Sequence, residues 1–275
     1  TNAADQCRFV QKYLSLSSST YSMASSITSP ACCTIPPVAA DYVPKGKMQN
    51  IGGVQCYTIG HDDCKKAIVG IFDVFGYWPS TQQGADILAA MTDTRVILPD
   101  FFAGNPLPQE VVPWDTPEKK ATVDQFVANQ GSPVKCRDTL LTVANALQES
   151  GVTTLGLYGL CWGSKGAIMA CGKGTPFSAF VQIHPSFVDP QDANQICIPM
   201  ASFTSKDEPQ EILEQFYKNL HANPDIASKC ITHHYPNNHH GFAGARAKLQ
   251  DPENYASFRD VYKRAADFFL ERLAL

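Results

Sequence analysis

Short apolar runs alternate along the chain with stretches of helical periodicity. Residues 65–72 (KKAIVGIF) form a compact apolar run rich in β-branched residues, the pattern of a buried strand. Residues 81–91 (TQQGADILAAM) follow with Ile87, Leu88 and Met91 on one helical face. Residues 94–100 (TRVILPD) read as the next strand, halted by Pro99, and residues 140–149 (LLTVANALQE) as a helix. Residues 153–159 (TTLGLYG) form a strand that runs directly into the stretch YGLCWGSKGA. Two further strands are expected at FSAFVQIHP and CIPMASFTS. An amphipathic helix opened by Pro209 follows at 209–221, then a strand at CITHHYP and a long terminal helix over 252–274.

This alternation predicts an α/β fold, with a mostly parallel sheet covered by helices on both faces. In such sheets the working residues sit at the C-terminal ends of the strands. No internal repeat or low-complexity linker interrupts the pattern, so residues 27–275 are expected to form a single domain. Residues 1–26 are read as an N-terminal extension, disordered or non-native: residues 1–22 are Ser/Thr-rich, precede Met23 and lack the apolar core of a secretory signal.

Composition narrows the class. Of 275 residues, 44% are hydrophobic and 17% charged, an ordinary globular balance. The net charge is -4 and no basic stripe occurs, which argues against nucleic acid as a partner. No apolar run approaches the roughly 20 residues needed to span a bilayer. The ten cysteines are too few for a disulfide scaffold in a chain of this length and include segments that look buried. They are expected to be mostly reduced thiols in a cytoplasmic protein. No Cys-x-x-Cys pair with matching partners supports a zinc site, so no metal or other cofactor is expected.

Candidate chemistry concentrates at three strand ends. Gly159-Leu160-Cys161-Trp162-Gly163 is a G-x-C-x-G version of the G-x-S-x-G nucleophile elbow. The flanking positions must be small because strand and helix approach closely there. Cys161 faces the start of the following helix, whose positive end favours a thiolate, and the Trp162 backbone N–H is placed to donate to an oxyanion. The alternative is a cysteine filling a tight turn. At the second strand end, Asp207 is positioned to orient a histidine, with Glu208 the adjacent alternative and a solvated helix-capping acid the structural one. At the third, His240 is the candidate base, with His239 beside it as the alternative; His233 and His234 fall inside the strand. A paired-histidine metal site lacks an accompanying carboxylate. The order nucleophile, acid, histidine is that of the α/β-hydrolase class.

With these residues in view, the motifs DVFGY, LPDFFAG, GLCWGSKGA, SKDE and HHGFAGAR resemble those of the dienelactone hydrolase family, particularly its fungal members, over residues 27–275. The resemblance implies a single-domain α/β-hydrolase fold with cysteine in the place of serine, and a triad of Cys161, Asp207 and His240. It adds Asp73 at the position of the family acid that interacts with the resting thiol, where bacterial relatives carry glutamate. It also adds the Val74 backbone N–H as the second oxyanion donor. The two arginines that hold the substrate carboxylate in bacterial members are replaced by Gly104 and Gly244. Arg246 is the available substitute. Trp78, Tyr77, Phe102 and Phe242 are expected to line an apolar pocket.

The implied reaction is hydrolysis of a small-molecule ester or lactone through a thioester, by a monomer or homodimer without a cofactor. Two other readings keep the fold. One is a redox-responsive thiol protein using Cys161 with Cys171 ten residues on; the other is a non-catalytic binding module.

Overall fold

The computed structural model describes residues 34–274. The expected extension over 1–26, together with Cys7, Cys32 and Cys33, lies outside them. The first two strands, β1 (Lys47–Ile51) and β2 (Val54–Ile59), pair antiparallel around Gly52 and Gly53, both at positive φ. They precede the first expected strand and carry no apolar run long enough to announce them. The remaining strands are β3 (Lys66–Ile71), β4 (Arg95–Pro99), β5 (Thr154–Leu160), β6 (Phe177–Ile183), β7 (Met200–Ser205) and β8 (Ile231–Tyr235). They form one sheet in the order β1-β2-β4-β3-β5-β6-β7-β8. β2 meets β4 antiparallel, and every pairing from β4 to β8 is parallel.

Among the described residues six helices cover the sheet: α1 (Pro79–Thr92), α2 (Pro117–Ala128), α3 (Pro133–Glu149), α4 (Trp162–Ile168), α5 (Gln210–His221) and α6 (Pro252–Arg272). Four of them, α1, α2, α3 and α6, open with proline in the first turn, where its missing N–H costs nothing. Thr116 and Asp251 cap α2 and α6 by accepting from the backbone N–H groups of Lys119 and Glu253. The strands sort their side chains by alternation. Leu155 and Leu157 of β5 face a core shared with α2, α3, α4 and α5, whereas Tyr158 and Leu160 face a second core shared with α1 and α6. The mostly parallel sheet with helices on both faces is therefore present as expected.

Two helical details differ from expectation. On α1, Leu88 is buried but Ile87 and Met91 are half-exposed. The face that packs is centred on Gly84, Ala85 and Leu88, because α6 approaches so closely that a Cβ at Gly84 would overlap the Tyr262 ring. Between β4 and β5 lie α2 and the first two turns of α3, which the apolar pattern did not reveal. No helix among the described residues is long and apolar enough to cross a membrane.

Candidate active site

Cys161 sits between β5 and α4 with φ 51 and ψ -117, a conformation that a non-glycine residue adopts only when its surroundings impose it. Those surroundings are tight. A Cβ at Gly159 would lie 2.7 Å from Gly163 and Ser164 backbone atoms, and one at Gly163 would lie 2.6 Å from the Ile71 carbonyl oxygen. The small residues of the motif are therefore a packing requirement, and the turn thrusts Cys161 toward the C-terminal edge of the sheet. Ser164, further into the turn, bonds back to the Gly159 carbonyl at 2.9 Å, as an ordinary first-turn helix residue does.

His240 arrives from the loop after β8, fully buried. Its ring is hydrogen-bonded to the Cys161 thiol. Its Nδ1 lies 2.7 Å from Glu208 Oε1. Here the structure corrects an expectation: the carboxylate on the imidazole belongs to Glu208, and Asp207 plays a different part. Asp207 is partly exposed, and its Oδ2 accepts from the His240 backbone N–H at 2.8 Å. The turn after β7 decides the exchange. It directs Glu208 inward, where the Ser205 backbone N–H and the Ser205 hydroxyl (2.9 Å) both donate to its carboxylate. The longer side chain reaches the ring, and the shorter one reaches only the backbone beside it. Adjacent acids on a turn look alike in a sequence, and their burial distinguishes them.

Burial alone would depress the imidazole pKa of His240. The nearby Cys161 and the hydrogen bonds to Cys161 and Glu208 outweigh it and push the value up to about 9. His239, the alternative base, bonds through Nε2 to the Arg246 carbonyl at 3.0 Å and is held below its ordinary pKa by burial. His233 and His234 lie on β8, as expected.

Asp73, at the end of β3, is fully buried and accepts from the backbone N–H groups of Phe75 (3.0 Å) and Ala245 (2.8 Å). It thus ties the β3 end to the loop that carries His240. Burial raises its pKa, the Arg246 guanidinium opposes the rise and Cys161 adds to it. The same carboxylate explains Gly244, because a Cβ there would stand 2.6 Å from Asp73 Oδ2. No arginine fits at that position. Gly104 is the opposite case: at positive φ, with open space around it, it turns the backbone rather than making room.

Arg246 is fully buried, with its guanidinium carbon 4.7 Å from the centre of the Phe75 ring and its Nε donating to the Ile35 carbonyl at 2.5 Å. It lines a cavity against Cys161 together with Val74, Trp162 and Ser186. The rest of its lining is apolar: Leu107, Trp114, Val123, Phe126, Val127 and Phe187. Its volume is about 20 Å³, space for about one water.

Of the aromatic residues expected to line the pocket, none does. Tyr77 donates to the Leu98 carbonyl at 2.7 Å and Trp78 to the Val38 carbonyl at 2.6 Å, so both brace the scaffold. Phe102 stacks behind Trp162 at 4.8 Å, and Phe242 packs with Tyr235 and His184 in the second core. Sequence reasoning missed Ser186, whose hydroxyl lies 3.3 Å from Cys161 Sγ, and the lining residues of α2. The position of Ser186 just beyond a strand end was an available signal. Cys171, weighed as a redox partner, directs its thiol to the Ala167 carbonyl at 3.2 Å and lies beside Cys197.

The sheet order, the strained turn at Cys161 and the buried carboxylate–histidine pair define a hydrolase of the α/β-hydrolase fold. The sequence profile of the Dienelactone hydrolase family matches residues 54–273, and the chain belongs to that family. An uncharacterized AIM2 family protein of Schizosaccharomyces pombe is 32% identical over 246 residues, covering 87% of this chain and 98% of that protein. A carboxymethylenebutenolidase homolog of Xenopus tropicalis is 24% identical, covering 83% and 91% respectively. Among solved structures, a putative dienelactone hydrolase from Klebsiella pneumoniae superposes with a TM-score of 0.60 at 16% identity, over 83% of this chain and 98% of that one.

Proposed function

We propose that the protein hydrolyses a carboxylic ester or lactone with Cys161 as nucleophile, His240 as acid and base, and Glu208 as the residue that orients His240. The observation that carries this reading is the continuous buried relay from the Cys161 thiol through the His240 ring to Glu208. The Cys161 thiolate adds to the substrate carbonyl, whose π electrons move onto oxygen. The backbone N–H groups of Trp162 and Val74, two residues that line the cavity at Cys161, receive that oxyanion. Collapse expels the alkoxide or enolate, which takes a proton from His240, and leaves a thioester. With the thiolate consumed, His240 loses the negative neighbour that raised its pKa and becomes the base that takes a proton from water. Water adds to the thioester, and collapse of that adduct returns the thiolate and releases the acid. Every step uses groups of this chain.

Arg246 in the cavity wall supports a substrate that carries its own carboxylate, set against the apolar lining. Carboxymethylenebutenolidase, the activity named for several relatives, acts on a lactone of that kind and falls within this reading. The cavity is too small for such a molecule, so binding requires side chains of its lining, among them Val123, Phe126 and Val127 of α2, to shift. Many free thiols among the described residues, several of them buried, agree with a reducing cytoplasmic setting. A panel of enol-lactones, saturated lactones and p-nitrophenyl esters, assayed on the wild type and Cys161→Ala, tests the assignment. The variant is expected to lose at least about 10³-fold in kcat/KM on every substrate that the wild type turns over. Retained hydrolysis in Cys161→Ala would remove Cys161 from the mechanism.

A further inference from the structure

We infer that Ser186 is a working member of the site: its hydroxyl donates to the Cys161 thiolate, accepts from the His240 imidazolium, and so holds the ion pair together before substrate arrives. The inference rests on Cys161 being the nucleophile. Ser186 Oγ lies 3.3 Å from Cys161 Sγ and 3.4 Å from His240 Nε2, which places one hydroxyl against both reacting atoms. A hydroxyl suits this place because it supplies one donor and two acceptor sites. Thiolate and imidazolium need one of each.

The backbone around Ser186 is built for that placement. The loop after β6 reads His184-Pro185-Ser186-Phe187, and both His184 (φ 39) and Phe187 (φ 55) are non-glycine residues at positive φ. Such strain persists only where the surroundings over-determine it. Here the Ser186 N–H donates to the Cys161 carbonyl at 3.1 Å and the His184 N–H to the Phe203 carbonyl at 2.7 Å, clamping the loop to the nucleophile turn and to β7. The Phe187 side chain lines the cavity on one side of Ser186. On the other, the His184 ring packs edge-on against His240 at 5.1 Å. His184 is fully buried, which drives its pKa well below the ordinary value, so it buttresses His240 without adding a second positive charge.

The charged and titratable groups around the Cys161–His240 pair are Arg246 from the loop after β8, Glu208 from the turn after β7, Asp73 from the end of β3, and His184 from the same loop as Ser186. Ser186 adds no charge to this set. Its effect is therefore separable as a hydrogen bond to the ion pair.

The test is Ser186→Ala, with Ser186→Gly as a second variant should the first fail to fold, and circular dichroism to verify the fold of each. Iodoacetamide alkylation of Cys161 across pH reads the thiolate directly. Loss of the hydroxyl is expected to move the alkylation midpoint up by about one pH unit, as the removal of one hydrogen bond to a charged group implies. The fall in kcat/KM is expected to be roughly 10- to 100-fold, carried by the acylation step with little change in thioester hydrolysis. A folded variant with an unmoved midpoint and wild-type acylation overturns the inference. Cys161→Ala is run beside it. If that variant retains activity, the reading of Cys161 fails; if it is inactive while Ser186→Ala is unchanged, the inference about Ser186 alone fails.

Discussion

The floor and the roof of the cavity are made by different means. The floor presents Cys161, Ser186 and Arg246 to the cavity, backed by Asp73, Glu208 and His240, and each of these side chains is carried on a strand end or the loop after one: Asp73 after β3, Cys161 after β5, Ser186 after β6, Glu208 after β7, His240 and Arg246 after β8. Backbone hydrogen bonds and close contacts fix these groups, including the Ala245 N–H on Asp73 and the His240 N–H on Asp207. The roof is apolar and comes from α2 and the segment before it: Trp114, Val123, Phe126 and Val127. Side-chain packing holds it down, through contacts such as Phe102 against Phe126 at 5.0 Å. A hydrogen-bonded floor keeps reacting atoms in register. An apolar roof can part and close over substrates of different shape. On the proposed mechanism, the chemistry falls to the floor and the choice of substrate mainly to the roof, with Arg246 at the boundary.

Damage to the floor is expected to have the largest consequences, and the two adjacent acids offer the sharpest contrast. Glu208→Gln is expected to lower kcat/KM by roughly 10²- to 10⁴-fold, the range for losing the orienting carboxylate of a triad. Asp207→Asn keeps an oxygen that can accept from the His240 N–H and removes only the charge, so it is expected to cost less than about tenfold. Steady-state kinetics on one activated ester separates them, and equal losses would break the proposed division of labour. The same pair carries a pH signature. The protonated form of His240 prevails below its raised pKa of about 9, so kcat/KM is expected to fall as pH climbs through that value. Glu208 helps to raise that pKa, so in Glu208→Gln the descending limb moves to lower pH. In Asp207→Asn it stays in place.

At the boundary, Arg246→Met keeps much of the buried length and removes the charge. It is expected to lower kcat/KM for carboxylate-bearing lactones by about 10- to 100-fold, while neutral esters lose only a few-fold. Equal losses on both classes would make Arg246 a structural residue. In the roof, Val127→Ala is expected to cost about 1–2 kcal/mol of stability and to shift preference toward bulkier acyl groups by about tenfold or less, with kcat on the smallest ester unchanged. Thermal unfolding and an acyl-chain series measure the two effects separately. A loss of kcat on every substrate would contradict a roof that only selects.

The same contrast explains what could be read from the chain. The floor was largely legible because its geometry depends on local sequence: glycines at 159 and 163 that a Cβ would disrupt, and histidines after a strand end. The parallel strands were legible because burial on both faces makes them continuously apolar. Glu208 and Asp207 were not separable, since which of two neighbouring acids points inward depends on the turn and on the Ser205 groups that receive it. The roof was invisible. α2 contributes Val123, Phe126 and Val127 to a surface that is defined only once the helix is laid across the site, and its sequence is otherwise polar. The aromatic residues nearest the motifs, Tyr77, Trp78, Phe102 and Phe242, satisfy scaffold contacts instead. The hairpin of β1 and β2 lies at the sheet edge with β1 largely exposed and only Cys56, Tyr57 and Thr58 of β2 buried, so it carries no apolar run that would announce it.

The central claim is that an acyl group passes through Cys161. Rapid acid quenching of the wild type during turnover of a p-nitrophenyl ester, followed by peptide mass mapping, tests it most directly. The expected result is one acyl group, labile to hydroxylamine, on the peptide that contains Cys161. An acyl group on the Ser186 peptide instead, or turnover with no acylated peptide at any quench time, would contradict the account.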